Sequence, residues 1–243
     1  MINIGHNSLI QRSFLRFPLR QFSFTYPCPR RLREIVKMSA FEREKPETID
    51  YIWTEYHKLR GHTVSAVMTP TLYVQLLTRA KAHPFFVFPV PKAEDDSYFM
   101  LLAQSQEKSI IFTWLEDFKK NPASANPYLV LTIFDELVRL KHRALMRGDI
   151  VSHMSQEEGN IVMTQMLDAY LIDHQYEQVR RFNDEPNSFD YEQYTKDSIT
   201  TFRNKQKKIR EEAEKSKTAN EKPPLFLGLQ EHNKSSSLGL PIA

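Results

Sequence analysis

The most constraining feature of this sequence is a short aromatic run that prolines interrupt and enclose. Residues 84–91 read Pro-Phe-Phe-Val-Phe-Pro-Val-Pro. The run is too short and too aromatic for a helix, and aromatic and β-branched side chains favour strands. Because proline has no amide hydrogen to donate to a neighbouring strand, it is tolerated in sheets chiefly at their edges. The sequence therefore predicts a strand near a sheet edge over residues 84–91.

Further short apolar runs have the length of strands rather than of helices. They cover residues 63–68, 98–104, 109–115, 128–134 and 144–151. The polar turn Ser105-Gln106-Glu107-Lys108 joins two of them into a predicted hairpin. Since most of these strands follow one another directly, the sequence predicts an α+β fold: one mostly antiparallel sheet of five or six strands with helices packed on it, rather than repeated βαβ units.

Helical spacing of apolar side chains, at three- and four-residue steps, occurs in four segments. The predicted helices run over residues 47–60, from 72 to 82, from Ser155 to near Asp173, and from about Tyr191 through Ile209. Ser155 stands three residues before Glu158, which is the pattern of a capping box at a helix start. With 243 residues in all, the chain has room for one domain with flanking segments.

Catalytic and cofactor motifs are absent from the sequence. It has only six glycines, and the closest two are 11 positions apart, so it contains no phosphate-binding loop, dinucleotide fingerprint or Gly-x-Ser-x-Gly elbow. The single cysteine, Cys28, excludes a disulfide framework and paired-thiolate metal sites. His57, His62 and His83 lack metalloprotease spacing and are interpreted as helix-end imidazoles. We expect a protein that is not an enzyme and needs no metal or cofactor.

The charge is distributed unevenly along the chain. Residues 1–41 carry seven basic side chains against one acidic, and residues 203–217 carry seven against three. Residues 42–202 instead hold 17 basic and 24 acidic side chains, a formal charge of −7. Because phosphate binding needs a basic face on the folded part, we do not expect the body to bind nucleic acid. No run of 18 uncharged apolar residues exists, so no membrane span is expected.

The amino-terminal segment has the composition of an organelle-import signal. No acidic residue precedes Glu34, and Arg12, Arg16 and Arg20 recur at a spacing of four among leucine, phenylalanine and serine. A processing site is predicted between Phe22 and Ser23. We therefore predict a mitochondrial transit peptide and linker over residues 1–41, outside the fold; the alternative is a basic arm that contacts RNA or the ribosome.

The remaining boundaries follow from composition. Residues 42–202 are predicted to form the folded domain. Residues 203–243 are predicted to be a charged tail, mostly disordered, because lysine, glutamate, proline, serine and asparagine leave little to bury beyond Lys217.

Several short segments occur in an order that resembles a known family. They are Ile52-Trp53 before Tyr56-His57, residues 64–67, 84–91, Phe112-Thr113, residues 128–131 with Glu136-Leu137, and residues 146–149. In this order they resemble the mitochondrial ATP synthase assembly chaperones that escort the β subunit of the catalytic head. A helix of that family carries Glu, Gln and Tyr, matched here by Glu158, Gln165 and Tyr170. The resemblance covers roughly residues 46–190; Gly159 and Asn160 depart from its usual Ala and Gln.

The resemblance implies a chaperone of the mitochondrial matrix. It would bind free ATP synthase β subunit transiently, prevent its aggregation, and be displaced by the α subunit. Such a role needs binding without turnover. The expected partner contacts are aromatic groups of the 84–91 strand and side chains of the helix that follows Ser155, although core packing explains the same residues. These are Phe85, Phe86, Phe88, Gln165 and Tyr170.

Two alternatives from other classes stay open at the level of sequence. One is a mitochondrial RNA- or ribosome-associated factor that uses the basic stretch 203–217, which would require a basic face on the folded part. The other is a hydrolase, which would require a cleft with convergent histidine and carboxylate groups.

Overall fold

A six-stranded antiparallel sheet forms the centre of the protein. The computed structural model describes residues 30–92 and 97–219. The strands are β1 (Thr63–Met68), β2 (Phe85–Pro91), β3 (Tyr98–Gln106), β4 (Ser109–Trp114), β5 (Pro127–Phe134) and β6 (Ala144–Ile150). Their spatial order is β1-β6-β5-β4-β3-β2. The α+β prediction is confirmed, and the proline-bracketed strand lies at a sheet edge as predicted.

Eight helices surround the sheet in the described part of the chain. They are α1 (Met38–Phe41), α2 (Pro46–Lys58), α3 (Pro70–Ala82), α4 (Leu115–Lys120), α5 (Val138–Lys141), α6 (Gln156–Leu171), α7 (Asp173–Asp184) and α8 (Tyr191–Ala219), with a 3₁₀ turn at Leu32–Glu34 before them. The four predicted helices correspond to α2, α3, α6 and α8. Helix α7 was not predicted, because only Val179 and Phe182 of its twelve residues are buried.

One face of the sheet packs against α6 at close range. A Cβ atom on Gly159 of α6 would lie 3.1 Å from Val64 Cγ1 and 3.0 Å from Ile150 Cδ1. A Cβ atom on Gly148 of β6 would lie 2.5 Å from Val64 Cγ2. The two glycines therefore allow the helix and the strands to approach, and Gly159, which departs from the family pattern, is compatible with the helix because it sits at this contact. Helices α3, α7 and α8 complete the cover of this face, which we call the groove face.

The opposite face, which we call the α2 face, is covered by α2 and the segment before it. Trp53 of α2 is 1% exposed and its ring lies 6.0 Å from that of Phe134 in an edge-on arrangement. Its indole Nε1 donates to the carbonyl of Met146 at 3.1 Å. Leu145 and Ile49 belong to the same apolar cluster.

The amino-terminal boundary differs from the sequence prediction. Leu32, Ile35, Val36 and Phe41 are buried in the cluster on the α2 face, so residues 32–41 belong to the folded body rather than to a linker. The physical reason is their spacing: the apolar side chains of a short turn and α1 point inward while the neighbouring basic groups stay in water. The rest of the predicted transit peptide, residues 1–29, lies outside the described residues.

The carboxyl-terminal boundary also differs. Helix α8 continues to Ala219, so residues 203–219 are helical rather than disordered. Lysine, glutamate, glutamine and arginine have high helix propensity, which explains a helix with little to bury. Residues 220–243, the remainder of the predicted tail, lie outside the described residues.

Candidate partner-binding groove

A groove of about 920 Å³ lies between α6 and α8, and we call it the α6–α8 groove. Each wall is one face of a helix, with lining residues at three- and four-residue steps. The α6 wall consists of Gln156, Glu157, Asn160, Ile161, Thr164, Gln165, Asp168 and Ala169. The α8 wall consists of Gln193, Tyr194, Asp197, Ser198, Thr201 and Phe202, together with Asp190, which directly precedes the helix. Apolar groups, among them Phe86 of β2, Ala169 and Phe189, also line it, and α7 contributes polar side chains.

Local capping positions both walls. The Ser155 side chain accepts from the backbone N–H of Glu158 at 3.1 Å, and the Glu158 carboxylate accepts from the Ser155 N–H at 2.8 Å. The predicted capping box is thus confirmed at the start of α6. Asp190 caps the start of α8, because its carboxylate accepts a hydrogen bond from the backbone N–H of Gln193 at 2.9 Å.

The edge strand beside the groove offers few free hydrogen-bonding groups. The pairing of β2 with β3 directs the backbone groups of residues 85, 87, 89 and 91 away from the sheet. Two of these residues are Pro89 and Pro91, which have no amide hydrogen. An exposed edge would attract other strands, and prolines reduce that tendency.

Side chains from three helices occupy the outward carbonyls of this edge. One of these side chains comes from each of α7, α8 and α6, so the edge is hydrogen-bonded to all three helices that surround the groove. The bonds are Asn183 Nδ2 to Phe85 O at 2.7 Å, Tyr194 Oη to Val87 O at 2.9 Å, and Gln165 Nε2 to Pro89 O at 3.2 Å. Asn183 also accepts from the Phe85 N–H at 3.2 Å. Gln165 and Tyr194 therefore both line the groove and close the sheet edge.

Three of the five residues predicted to contact a partner are buried. Phe86 and Phe88 are each 1% exposed, and the Phe86 ring packs edge-on against those of Phe182 and Tyr194. Tyr170 is fully buried; its hydroxyl donates to the His83 carbonyl at 2.8 Å, and burial raises the pKa of that hydroxyl. Of these three, only Phe86 lines the groove. Their burial favours the core-packing interpretation.

The other two predicted residues are half-buried. Gln165 lies on the α6 wall of the groove, and its Oε1 is a buried acceptor with no hydrogen-bond partner. Phe85 lies at the start of β2, next to Asn183 of α7, and packs against the large core cluster. The structure therefore brings Phe86 and Gln165 together in the groove and leaves the remaining three outside it.

The α8 wall was not identified from the sequence. Its stripe, Tyr194, Ser198 and Phe202, lies in the helix predicted from about Tyr191, within the predicted domain 42–202, but no partner contact was predicted for it. The signal was present as helical spacing from Tyr191 onward. What sequence spacing cannot provide is the pairing of this stripe with that of α6, because the two stripes are about 30 residues apart in the chain.

The rim of the groove is acidic. Glu157 and Asp168 stand on the α6 side, and Asp197 of α8 and Asp190, which caps the start of α8, stand on the other side. The lining includes one guanidinium, that of Arg181, and the side chain of His174. The arrangement can hold apolar and cationic groups of a partner; it does not resemble a phosphate-binding surface.

Histidine and carboxylate groups meet outside the groove. His83, at the end of α3, contacts the Tyr176 hydroxyl and lies 3.2 Å from an Asp184 oxygen, both on α7. These contacts join α3 to α7. Within residues 30–92 and 97–219, no group of three histidine, cysteine or acidic side chains is arranged to hold a metal ion. No helix in the same ranges is both long and apolar enough to cross a membrane.

His57, on the α2 face, is more deeply buried than His83. It is fully buried, and Nδ1 lies 2.7 Å from the Trp53 carbonyl while Nε2 has no partner. Removal from water lowers its pKa to about 4, against the opposing effect of the Trp53 hydrogen bond. The imidazole is therefore neutral at physiological pH.

Two comparisons place the chain among known proteins. A family model described as ATP11 protein matches residues 23–195. A curated relative from Schizosaccharomyces pombe, "Protein atp11, mitochondrial", is 25% identical over 120 residues, which are 48% of this chain and 42% of that protein. The match thus spans less than half the length of that relative. The family match includes the α6 wall of the groove and the first turn of α8, and it ends before Asp197, Ser198, Thr201 and Phe202 of the α8 wall.

Proposed function

Because the chain belongs to the ATP11 protein family, we propose that it is an assembly factor of the mitochondrial ATP synthase. The match of the family model over residues 23–195 is the observation that carries this proposal, and the family resemblance found in residues 46–190 is confirmed by it. The relative's name includes the word mitochondrial, which supports a mitochondrial location for this chain. We assign the protein to the matrix, where the catalytic head of the synthase is assembled.

The proposed activity is binding of the free β subunit. A free β subunit exposes surface that later meets α subunits, and exposed apolar surface of this kind aggregates. The protein covers that surface until α displaces it. One observation supports a binding role: a peptide-sized groove with apolar groups between its two helical walls.

The α6–α8 groove is the proposed contact site. It combines buried aromatic groups with an open rim, as protein-binding grooves do. Thr164 and Thr201 are exposed on opposite walls, so a bulky side chain at either position fills the groove without entering the core. Thr54, exposed on α2, provides a matched control position on the other face.

The test is aggregation of β subunit during dilution from denaturant, followed by light scattering with and without the full chain. The full chain and the Thr54→Trp variant are expected to suppress scattering, and Thr164→Trp and Thr201→Trp to suppress it less. Addition of α subunit is expected to release β from the complex, because the two compete for one surface. Equal scattering in all samples, or binding to RNA but not to β, would overturn the proposal.

Import is tested separately. If residues before Ser23 act as a transit peptide, the amino terminus of the organelle form begins near Ser23 or later. Amino-terminal sequencing of protein purified from mitochondria measures this directly. An intact Met1 terminus recovered from a cytosolic pool contradicts it.

A further inference from the structure

The lengths of the two walls of the α6–α8 groove limit the length of a partner segment that can lie between them. The α6 lining runs from Gln156 to Ala169, a rise of thirteen residues along the helix or about 20 Å. The α8 lining runs from Asp190 to Phe202, about 18 Å. A segment that lies along both walls therefore contacts them over about three helical turns.

The lining specifies the side chains of such a segment. Apolar groups line the groove between the walls, including Ile161 on one wall and Phe202 on the other. Carboxylates stand at intervals along each rim, eleven residues apart on α6 and seven apart on α8, with one guanidinium beside them. An apolar stripe bordered by lysine or arginine is complementary to this pattern, whereas an acidic segment is repelled.

The sheet edge beside the groove argues against an extended occupant. An added strand needs outward N–H and C=O groups along β2. The carbonyls of residues 85, 87 and 89 already accept from Asn183, Tyr194 and Gln165. Pro89 and Pro91 provide no donors. A segment in the groove must therefore satisfy its own backbone hydrogen bonds, which a helix does.

From these three observations we infer that the α6–α8 groove binds a cationic amphipathic helix of the client, apolar stripe inward and lysine or arginine toward the two acidic rims. The identification of the client as the β subunit rests on the proposed function; the chemistry of the bound segment rests on the groove. In this arrangement Gln165 and Tyr194 are positioning residues, since their hydrogen bonds to β2 hold α6 and α8, the two walls, against the sheet edge.

The probe is a fluorescent synthetic helix of roughly 18 residues, long enough to be partly helical alone, with a leucine–phenylalanine stripe and lysine flanks. A second peptide replaces the lysines by glutamate. A third keeps the lysines but has two central prolines, which prevent a helix. Fluorescence anisotropy measures binding of each to the full chain at low and moderate salt.

The full chain is expected to bind the lysine helix about tenfold or more tightly than either other peptide. Removing two rim charges in Glu157→Gln/Asp197→Asn is expected to weaken binding about three- to tenfold, with the loss shrinking at higher salt. The matched double variant Glu42→Gln/Glu47→Gln removes two exposed carboxylates around α1 and α2 and is expected to bind as the parent does. Thr164→Trp is expected to bind weakly at any salt.

Several results overturn the inference. Equal binding of the lysine and glutamate peptides removes the charge argument, and undiminished binding of the proline peptide indicates an extended occupant. Unchanged binding by Thr164→Trp places the contact elsewhere. Much tighter binding after deletion of residues 220–243, or a dimer that Thr164→Trp dissociates, assigns the groove to this chain itself.

The outcome separates the two proposals. If the lysine helix binds at the groove but β subunit is not held, the proposed function fails and the groove chemistry stands. If β subunit is held while rim and groove variants have no effect, the proposed function stands and the helix inference fails.

Discussion

The two faces of the sheet are covered in different ways. On the α2 face, α2 and the segment before it cover a small apolar cluster around Trp53, which is 1% exposed. On the groove face, α3, α6, α7 and α8 pack on a larger cluster, to which Leu115 and Phe118 of α4 also belong, and about 920 Å³ stays open between α6 and α8. The two helices that border this open space, α6 and α8, each donate a hydrogen bond to the β2 edge, through Gln165 and Tyr194. We infer that the α2 face serves stability and the groove face serves binding.

The largest effect is expected on the α2 face, from Trp53→Ala. The substitution removes a buried indole and its hydrogen bond to Met146, so the free energy of unfolding is expected to fall by about 3–5 kcal/mol. Urea denaturation measures the change. Thr54→Ala, at the adjacent exposed position, is the control and is expected to change stability by less than about 0.5 kcal/mol. Similar losses from both variants would contradict a sealed cluster.

Acid is expected to weaken the same face through His57. Its pKa is lowered to about 4 in the folded protein, below the ordinary value of 6.5, so the unfolded chain binds a proton in that range and the folded chain does not. Stability is therefore full above about pH 6.5 and falls as the pH decreases toward 4, by about 3 kcal/mol for this group.

The control for this pH effect is a change of histidine elsewhere. His57→Leu is expected to flatten the dependence of unfolding free energy on pH between 6.5 and 4, whereas His174→Gln, at an exposed position on α7, is expected to leave it nearly as steep. An unchanged slope in His57→Leu would show that the buried imidazole does not carry the effect.

A smaller effect is expected on the groove face, from Tyr194→Phe. The variant keeps the ring packing against Phe86 but leaves the Val87 carbonyl without its donor, so the free energy of unfolding is expected to fall by about 1 kcal/mol. The control is Tyr98→Phe, since Tyr98 is 45% exposed. If the two variants have equal stability, the hydroxyl of Tyr194 does not fasten α8 to the sheet edge.

The smallest effect is expected from removal of residues 220–243. Their low hydrophobicity leaves little to offset an ordering cost of about 1–2 kcal/mol per residue, so thermal stability is expected to stay unchanged. Differential scanning calorimetry of the full chain and of a chain ending at Ala219 decides it. A clear decrease in melting temperature would mean that the segment packs on the body.

The sheet was predictable from local chemistry. The prolines of the 84–91 run identify an edge strand, because a residue without an amide hydrogen cannot donate to a neighbouring strand. This holds whatever the rest of the fold is. Ser155 and Glu158 similarly identify a helix start. Helix α7 could not be found, since its stabilising contacts, such as Asn183 to Phe85, join residues distant in the chain.

The groove required the tertiary structure. Gln165 was identified by resemblance, whereas its partner wall on α8 depends on how two separate helices meet β2. Phe86 and Phe88 illustrate the same limit. They point to one face of a strand because side chains alternate, yet only the positions of Phe182 and Tyr194 show that this face is core.

Site-specific photo-crosslinking tests the division between the two faces most directly. A diazirine side chain about the size of leucine, small enough not to fill the groove, is placed in the full chain at Thr164 or Thr201 in the groove, and at Tyr51 or Leu140 near the α2 face, where both native side chains are well exposed. Each protein is irradiated with β subunit freshly diluted from denaturant. We expect crosslinks to β from the two groove positions and little from Tyr51 and Leu140. Crosslinks from Tyr51 and Leu140 with none from the groove would contradict a binding role of the groove face.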